Sequence, residues 1–140
     1  MVKAGVDPAK FPVLEKIPTP QKKKLMPFFV KALGYKDCTG CHASLTDYKT
    51  VTHNMQLTRG MWDHFIAYAR DTSDHALFCD SCHAGSPKIL NRADREGVKK
   101  FMESDYVGKL HRADKKPMEC TSCHGDAMEL DIFGKLWHVK

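Results

Sequence analysis

The sequence predicts a mainly α-helical fold with extensive irregular coil and little or no β-structure. Two stretches carry apolar residues at helical spacing, one over Thr58–Arg70 and one that follows an Asn91 N-cap. No stretch shows the alternation of apolar and polar residues that a half-buried strand requires. A chain of 140 residues is expected to form one body.

The first 36 residues are rich in proline and are predicted to form an N-terminal arm, distinct from a body of residues 37–140. Five of the seven prolines lie in this arm, and residues 12–20 are expected to be extended. A short helix is predicted over Met26–Leu33, closed by Gly34. The arm is either a loose terminus or an element that lies along a neighbouring subunit or covers groups bound to its own chain.

The two intervals that follow each contain one predicted helix. In Thr58–Arg70 the apolar arc consists of Met61, Trp62, Phe65, Ile66 and Ala69. The second helix begins at Asn91, has Asp94 at its third position, and continues through an apolar series of Val98, Phe101 and Met102.

All six cysteines belong to three copies of the pattern C-x-x-C-H. The copies are CTGCH at Cys38–His42, CDSCH at Cys79–His83 and CTSCH at Cys120–His124, and successive copies are 41 residues apart. Paired C-x-x-C units also bind structural zinc, but six cysteines do not divide into all-cysteine zinc sites of four. Histidines could complete such zinc sites. A thioredoxin-like redox motif needs one C-x-x-C in a βαβ setting, and short-loop disulfides leave the three trailing histidines without a role.

C-x-x-C-H is the attachment signature of c-type haem. The two thiols, Cys38 and Cys41 in the first copy, add across the vinyl groups as thioethers, and the adjacent histidine then lies under the iron. The pattern therefore predicts three haem c groups. Their thioether residues are Cys38, Cys41, Cys79, Cys82, Cys120 and Cys123, and their proximal iron ligands are His42, His83 and His124.

On these nine motif residues the chain resembles the multihaem c-type cytochromes, and more loosely their small triheme and tetraheme members. The resemblance implies a small haem-packed multihaem cytochrome c body in which the porphyrins supply much of the core. The apolar fraction of 42% and the mean hydropathy of −0.45 agree with a core that needs such material. The even spacing of the motifs is open to two explanations, an old duplication or coincidence, because the intervals share few residues.

Five histidines remain for the other face of the three irons. His111, nine residues before Cys120, and His75, four residues before Cys79, resemble the distal ligands of small multihaem cytochromes. His53, in a polar segment, is the third predicted distal ligand, and His64 and His138 are the secondary candidates. A methionine is the alternative for one haem, and the available methionines are Met55, Met61, Met102, Met118 and Met128.

The chain is basic, with a formal charge of +5. Three haems would change this to roughly +2 when oxidised and roughly −1 when reduced, so the charge says little about partners. The cluster Lys22–Lys24 is expected to be a solvated face. No apolar run is long enough to span a bilayer, and no nucleic-acid partner is predicted.

The predicted function is electron transfer by three haems, mostly bis-His and low-spin, between redox partner proteins. Covalent haem attachment indicates a periplasmic or extracellular location in a prokaryote, although the N-terminus lacks the apolar segment of a signal peptide. The alternative is a subunit of a larger respiratory complex or haem filament that associates through residues 1–36. A haem reductase with an open iron site is the third reading, but nothing in the sequence marks a catalytic cluster, so the chain is predicted to be a carrier rather than an enzyme.

Overall fold

The computed structural model describes residues 5–124 and 132–140. The prediction of a mainly α fold with much coil is confirmed. The helices are α1 Thr19–Leu33, α2 His53–Met61, α3 Arg95–Phe101 and α4 Cys120–His124.

Short turns of tighter or wider pitch complete the helical structure. A π-helical turn continues α2 over Trp62–Ile66, another continues α3 over Met102–Val107, and a third covers Ile132–Leu136. The 3₁₀ turns cover Leu14–Lys16, Cys38–Gly40 and Cys79–Ser81.

The β-structure of the described residues is a two-residue ribbon. Strand β1, Ala69–Arg70, pairs antiparallel with β2, His111–Arg112, and Arg70 also forms an isolated bridge to Ala76. Since His111 lies in β2 and His75 precedes Ala76, the ribbon brings both of these predicted ligands to the same end of the molecule.

Helix α1 is longer than the sequence analysis predicts. It begins at Thr19 and not at Met26. The expectation that residues 12–20 are extended is therefore wrong from Thr19 onward, and it is also wrong at Leu14–Lys16, which form a 3₁₀ turn. Pro20 fits the first turn, where its missing N–H costs nothing, and Pro27 is tolerated inside the helix. The predicted end at Gly34 is confirmed: φ is 68°, and the Gly34 and Tyr35 N–H groups bond to carbonyls of the last turn.

The other two predicted helices are present, but their bounds differ. The helix predicted over Thr58–Arg70 is wrong at its end, where Ala69–Arg70 form strand β1. Helix α2 begins at His53, because the Thr52 hydroxyl accepts from the Met55 N–H at 3.2 Å and caps the helix there. Helix α3 is capped by Asp94, which accepts from the Gly97 N–H at 2.9 Å, so the predicted Asn91 cap is wrong.

The buried core draws heavily on the N-terminal segment. Trp62, fully buried, donates from Nε1 to the Phe11 carbonyl at 2.8 Å, and the Leu14 N–H donates to Asp63 Oδ1 at 2.8 Å. The boundary between residues 1–36 and 37–140 stays a prediction, yet residues 6–33 pack into the body of this chain. The core cluster consists of Val6, Leu14, Ile17, Leu25, Phe29, Ala32, Leu33, Trp62, Ile66, Phe78 and Cys79.

None of the helices in the described ranges has the length and apolar character needed to cross a bilayer, as the sequence predicts.

Candidate haem-attachment site

The first two C-x-x-C-H motifs fold into the same turn. Each begins with a 3₁₀ turn, Cys38–Gly40 or Cys79–Ser81. The N–H groups of the second cysteine and of the histidine both donate to the first cysteine's carbonyl, at 3.2 and 2.9 Å in the first motif and at 3.2 and 2.8 Å in the second. The backbone angles agree as well, φ −121° and ψ −36° at Cys41 against −120° and −39° at Cys82.

Each of the three motifs is also capped by a nearby side chain. This side chain belongs to the motif in the second and third copies and directly precedes the motif in the first. The Phe78 N–H donates to Ser81 Oγ at 3.3 Å, and the Glu119 N–H donates to Ser122 Oγ at 3.3 Å. In the first motif, where glycine replaces this serine, the Asp37 carboxylate accepts from the backbone N–H two residues later at 2.8 Å. These caps stabilise a turn that brings the two cysteines and the histidine of a motif close together.

Helix α1 is the shared support of the first and second motifs. Phe29 packs on Phe78, with ring centroids 5.2 Å apart, directly before the second motif. After that motif, the Gly85 N–H donates to the Ala32 carbonyl at 2.8 Å. A Cβ on Gly34 would overlap the Gly85 carbonyl oxygen, so the chain can approach the end of α1 this closely only because Gly34 has no side chain.

The N-terminal half of α2 is fastened to the first motif. Asn54 Nδ2 donates to the Gly40 carbonyl at 2.7 Å, and the Thr52 hydroxyl donates to the Cys41 carbonyl. One turn further on, Thr58 Oγ1 lies 3.9 Å from Cys41 Sγ. The cap residue Thr52 and two residues of α2, Asn54 and Thr58, therefore hold the CTGCH turn against this helix.

A cavity of about 260 Å³ lies between α1, α2 and the first motif. Its wall is largely apolar, and it contains both cysteines and the histidine of the motif together with a pair of methionines and two cations. The lining residues are Leu14, Glu15, Lys22, Met26, Phe29, Val30, Cys38, Cys41, His42, Tyr48, Met55, Thr58 and Arg59.

The cavity rim contains a small charge network. Arg59 lies 2.9 Å from the Glu15 carboxylate, and Lys22 Nζ donates to the Glu15 carbonyl at 2.8 Å. Two cations thus border an apolar cavity, an arrangement that suits a group with a flat apolar body and anionic substituents such as the haem propionates.

The histidine of the first motif is packed but incompletely hydrogen-bonded. Its ring lies edge-on to Tyr48, with centroids 5.0 Å apart, and among the described residues its buried Nδ1 finds no hydrogen-bond partner. The loop between this histidine and α2 also exposes three large apolar side chains, Leu45, Tyr48 and Val51, at 56%, 52% and 49% of their surfaces. An apolar occupant of the cavity would give these side chains a surface to cover.

The histidine of the second motif has the hydrogen bond that an iron ligand needs. Its Nδ1 lies 2.8 Å from the Ser86 carbonyl oxygen. Because a carbonyl only accepts, the proton of the neutral ring lies on Nδ1, and the lone pair of Nε2 remains for a metal. Metal-bound histidines in proteins usually have this second contact, which fixes the ring and its tautomer.

Two of the motif thiols, Cys41 and Cys79, are shielded from solvent enough to change their pKa. Burial raises the pKa of Cys79 to about 12, with smaller contributions from the charges of Asp80, Cys82 and Cys41. Burial also raises the pKa of Cys41. Because the charge of Cys41 affects the pKa of Cys79, the first two motifs lie in the same part of the molecule.

Two of the predicted distal ligands lie at the β-ribbon and are paired with carboxylates. His75 is 78% exposed, with Nδ1 3.3 Å from Asp71 Oδ2. His111 is 49% exposed, with Nε2 2.9 Å from Asp74 Oδ1. Their role as iron ligands stays a prediction.

The other three candidates lie around the C-terminal residues. His53 Nδ1 is 3.1 Å from the Lys140 carbonyl oxygen, and the His64 ring stacks on Trp137 at a centroid distance of 5.5 Å and an angle of 4°. His138 is exposed and has a φ of 52°. The structure thus separates the five candidate histidines into two groups. Of the alternative methionines, Met55 lies at the cavity, and Met128 lies outside the described residues.

The sequence analysis did not predict the α1 wall of this cavity. Lys22, Met26, Phe29 and Val30 recur at helical spacing, and this signal would have been visible had the helix been started at Thr19. Tyr48, the ring partner of the first motif histidine, has no sequence signal of its own.

Over residues 5–124 and 132–140 no three His, Cys, Asp or Glu side chains converge as a metal-binding group. A c-type haem does not require one, since its iron takes only two axial ligands from the protein. Comparison with protein families, with curated proteins and with solved structures finds no match to this chain. The residues around the first motif fit a haem in their chemistry: two thiols, one imidazole, an apolar wall and two rim cations.

Proposed function

We propose that this chain is an electron-transfer protein with three covalently bound c-type haems, mostly bis-His and low-spin, that exchanges electrons with redox partner proteins outside the cytoplasm. The observation that carries the proposal is the repeated turn. Two C-x-x-C-H motifs share one hydrogen-bonding pattern and lie on one helix, and the third has the same serine cap as the second.

Each motif residue has a defined task in this proposal. The cysteines form the two thioethers, and the histidine holds the iron. The turn supports both tasks, because its hydrogen bonds tie the backbone of the second cysteine and of the histidine to the carbonyl of the first cysteine. A six-coordinate haem c supplies one-electron transfer between ferric and ferrous iron with little rearrangement of its ligands.

The remaining residues would keep the cofactors close together and exclude water. The end of α1 contacts the second motif through Phe29, Ala32 and Gly34, and the same helix lines the cavity of the first motif, so two haems would be held on one helix. Distal ligation is proposed for His53, His75 and His111, with His64 and His138 as secondary candidates. No substrate pocket is needed, because the protein's contribution is spacing, burial and ligand choice.

Quantitation of haem in single-motif variants tests this function. The chain is produced in an exporting host with haem-attachment machinery, and each motif is altered in turn, for example Cys79→Ala together with Cys82→Ala. Wild type is expected to carry three haems that resist extraction by acid and acetone, and each double variant is expected to carry two. Zinc instead of haem, or a haem count that does not change when a motif is removed, would contradict the proposal.

The spectra of the same preparations test the ligation. Low-temperature electron paramagnetic resonance of the oxidised protein is expected to show low-spin signals for all three haems. Binding of carbon monoxide to the reduced, folded protein would indicate an open iron and would favour a reductase over a carrier.

A further inference from the structure

Helix α2 has two faces that contact different parts of the chain. One face lies on the cavity of the first motif and includes Met55, Thr58 and Arg59. The opposite face contacts the C-terminal residues, since His53 bonds to the Lys140 carbonyl. The residues on this second face are spaced by three or four positions. They are His53, Gln56 and Gly60 of α2, and His64 continues the series in the π-helical turn that follows.

This division separates a predicted histidine ligand from the first haem site. His53 and Met55 are two positions apart on a helix, about 200° around its axis. The structure turns His53 to the C-terminal residues and Met55 into the cavity. Of the two side chains on α2 that could bind iron, the thioether of Met55 therefore lies at the first motif and the imidazole of His53 does not.

The segment that contains Met55 is also the segment most firmly held against the motif. Thr52 and Asn54 bond to the carbonyls of Cys41 and Gly40, and Thr58 lies beside the Cys41 thiol. Because contacts on both sides of Met55 in the sequence are fixed to the turn, the position of this residue relative to His42 is fixed too.

The second methionine of the cavity has another role. Met26, on α1, packs against the buried apolar core. Met55 is half-buried and, among the described residues, lies outside the core cluster and the side chains packed on it. Its presence in the cavity is therefore not explained by core packing.

We propose that Met55 is the sixth ligand of the haem attached at Cys38 and Cys41, opposite His42. The inference rests on the proposed function and changes it at one haem, which becomes His/Met while the other two remain bis-His. A thioether is a weaker donor to ferric iron than an imidazole, so this haem has the highest reduction potential of the three. The chain would then contain one site that is reduced first and two at lower potential.

The test uses the holoprotein and three variants, Met55→Leu, Met55→His and Met26→Leu. Ferric haem with a methionine ligand has a weak long-wavelength charge-transfer absorption that bis-His haem lacks, and magnetic circular dichroism resolves it. Wild type and Met26→Leu are expected to show this band. Met55→Leu is expected to lose it and to gain one high-spin haem, and Met55→His to lose it while all haems stay low-spin and the highest potential falls.

The outcomes separate the ligand from the function. A wild-type protein with three haems but without the thioether band would overturn the Met55 assignment and leave electron transfer standing. A band that survives in Met55→His, or that disappears in Met26→Leu, would also overturn it. Absence of covalent haem in wild type would refute the proposed function itself. If Met55→Leu does not fold, Met55→His still tests the assignment of Met55 as the sixth ligand, because histidine at that position can also bind the iron.

Discussion

Gly34 is the position where adding a methyl group, in Gly34→Ala, is expected to push the chain after the second motif away from the end of α1. Its φ of 68° is unfavourable for other residues, and a Cβ would meet the backbone carbonyl of Gly85. For Gly34→Ala the left-handed backbone costs about 1–2 kcal/mol. Loss of the hydrogen bond from the Gly85 N–H to the Ala32 carbonyl adds about 0.5–1.5 kcal/mol.

The free energy of unfolding is therefore expected to fall by about 1.5–3.5 kcal/mol in Gly34→Ala. Gly85→Ala is the matched control, because Gly85 also has a positive φ, 86°, but a Cβ there meets nothing within 4 Å. The control should lose only the backbone contribution, about 1–2 kcal/mol.

Guanidinium titration followed by far-ultraviolet circular dichroism measures both variants against wild type. The free energy of unfolding is expected to be lower for Gly34→Ala than for Gly85→Ala. Equal losses would show that the close approach of the two glycines contributes nothing. A Gly34→Ala protein as stable as wild type would refute the local geometry altogether.

Three further substitutions test other contacts. Gly60→Ala should lower stability through the Trp137 ring that covers this glycine, and a melting temperature within a degree of wild type would show that the ring does not lie there. Asp94→Ala should cost about 1 kcal/mol by removing the cap of α3, whereas an unchanged guanidinium midpoint would reject that cap. The Arg112 guanidinium lowers the pKa of Asp114 through hydrogen bonds of 2.6 and 2.8 Å, so the pair stabilises the fold above the unfolded-state pKa of about 3.9. Asp114→Asn should therefore be less stable than wild type at pH 7, with a gap that closes as the pH falls through the lowered pKa; a gap that persists at pH 2 would contradict this.

The sequence predicts much of the helical structure because apolar periodicity is local. The apolar arc around Trp62 and the helix end at Gly34 each depend on residues that are close together in the sequence. Helix starts were predicted less well, since Thr52 and Asp94 compete with other capping residues nearby and only backbone geometry decides between them. The proline-rich sequence does not predict the first turn of α1, because proline usually excludes helix; Pro20 lies in that first turn, where proline is accommodated.

The sequence predicts the motif residues, but it does not determine which residues would bind the opposite faces of the proposed haem irons. A C-x-x-C-H unit fixes its own ligands by covalent spacing within five residues. A sixth ligand comes from a distant part of the chain, and its identity depends on which face of a helix turns toward the motif. His53 and Met55 are neighbours in sequence, yet one contacts Lys140 and the other the cavity. The polar segment around His53 favours this residue as a ligand, whereas the fold favours Met55 as the sixth ligand of the haem proposed at the first motif.

The central claim is that three haems are covalently bound to this chain. Mass spectrometry of the intact denatured and reduced protein, combined with iron and zinc analysis, measures this directly. The account predicts a mass equal to the polypeptide plus three haems, with three irons and no zinc per chain. A polypeptide mass without haem, together with stoichiometric zinc, would contradict it.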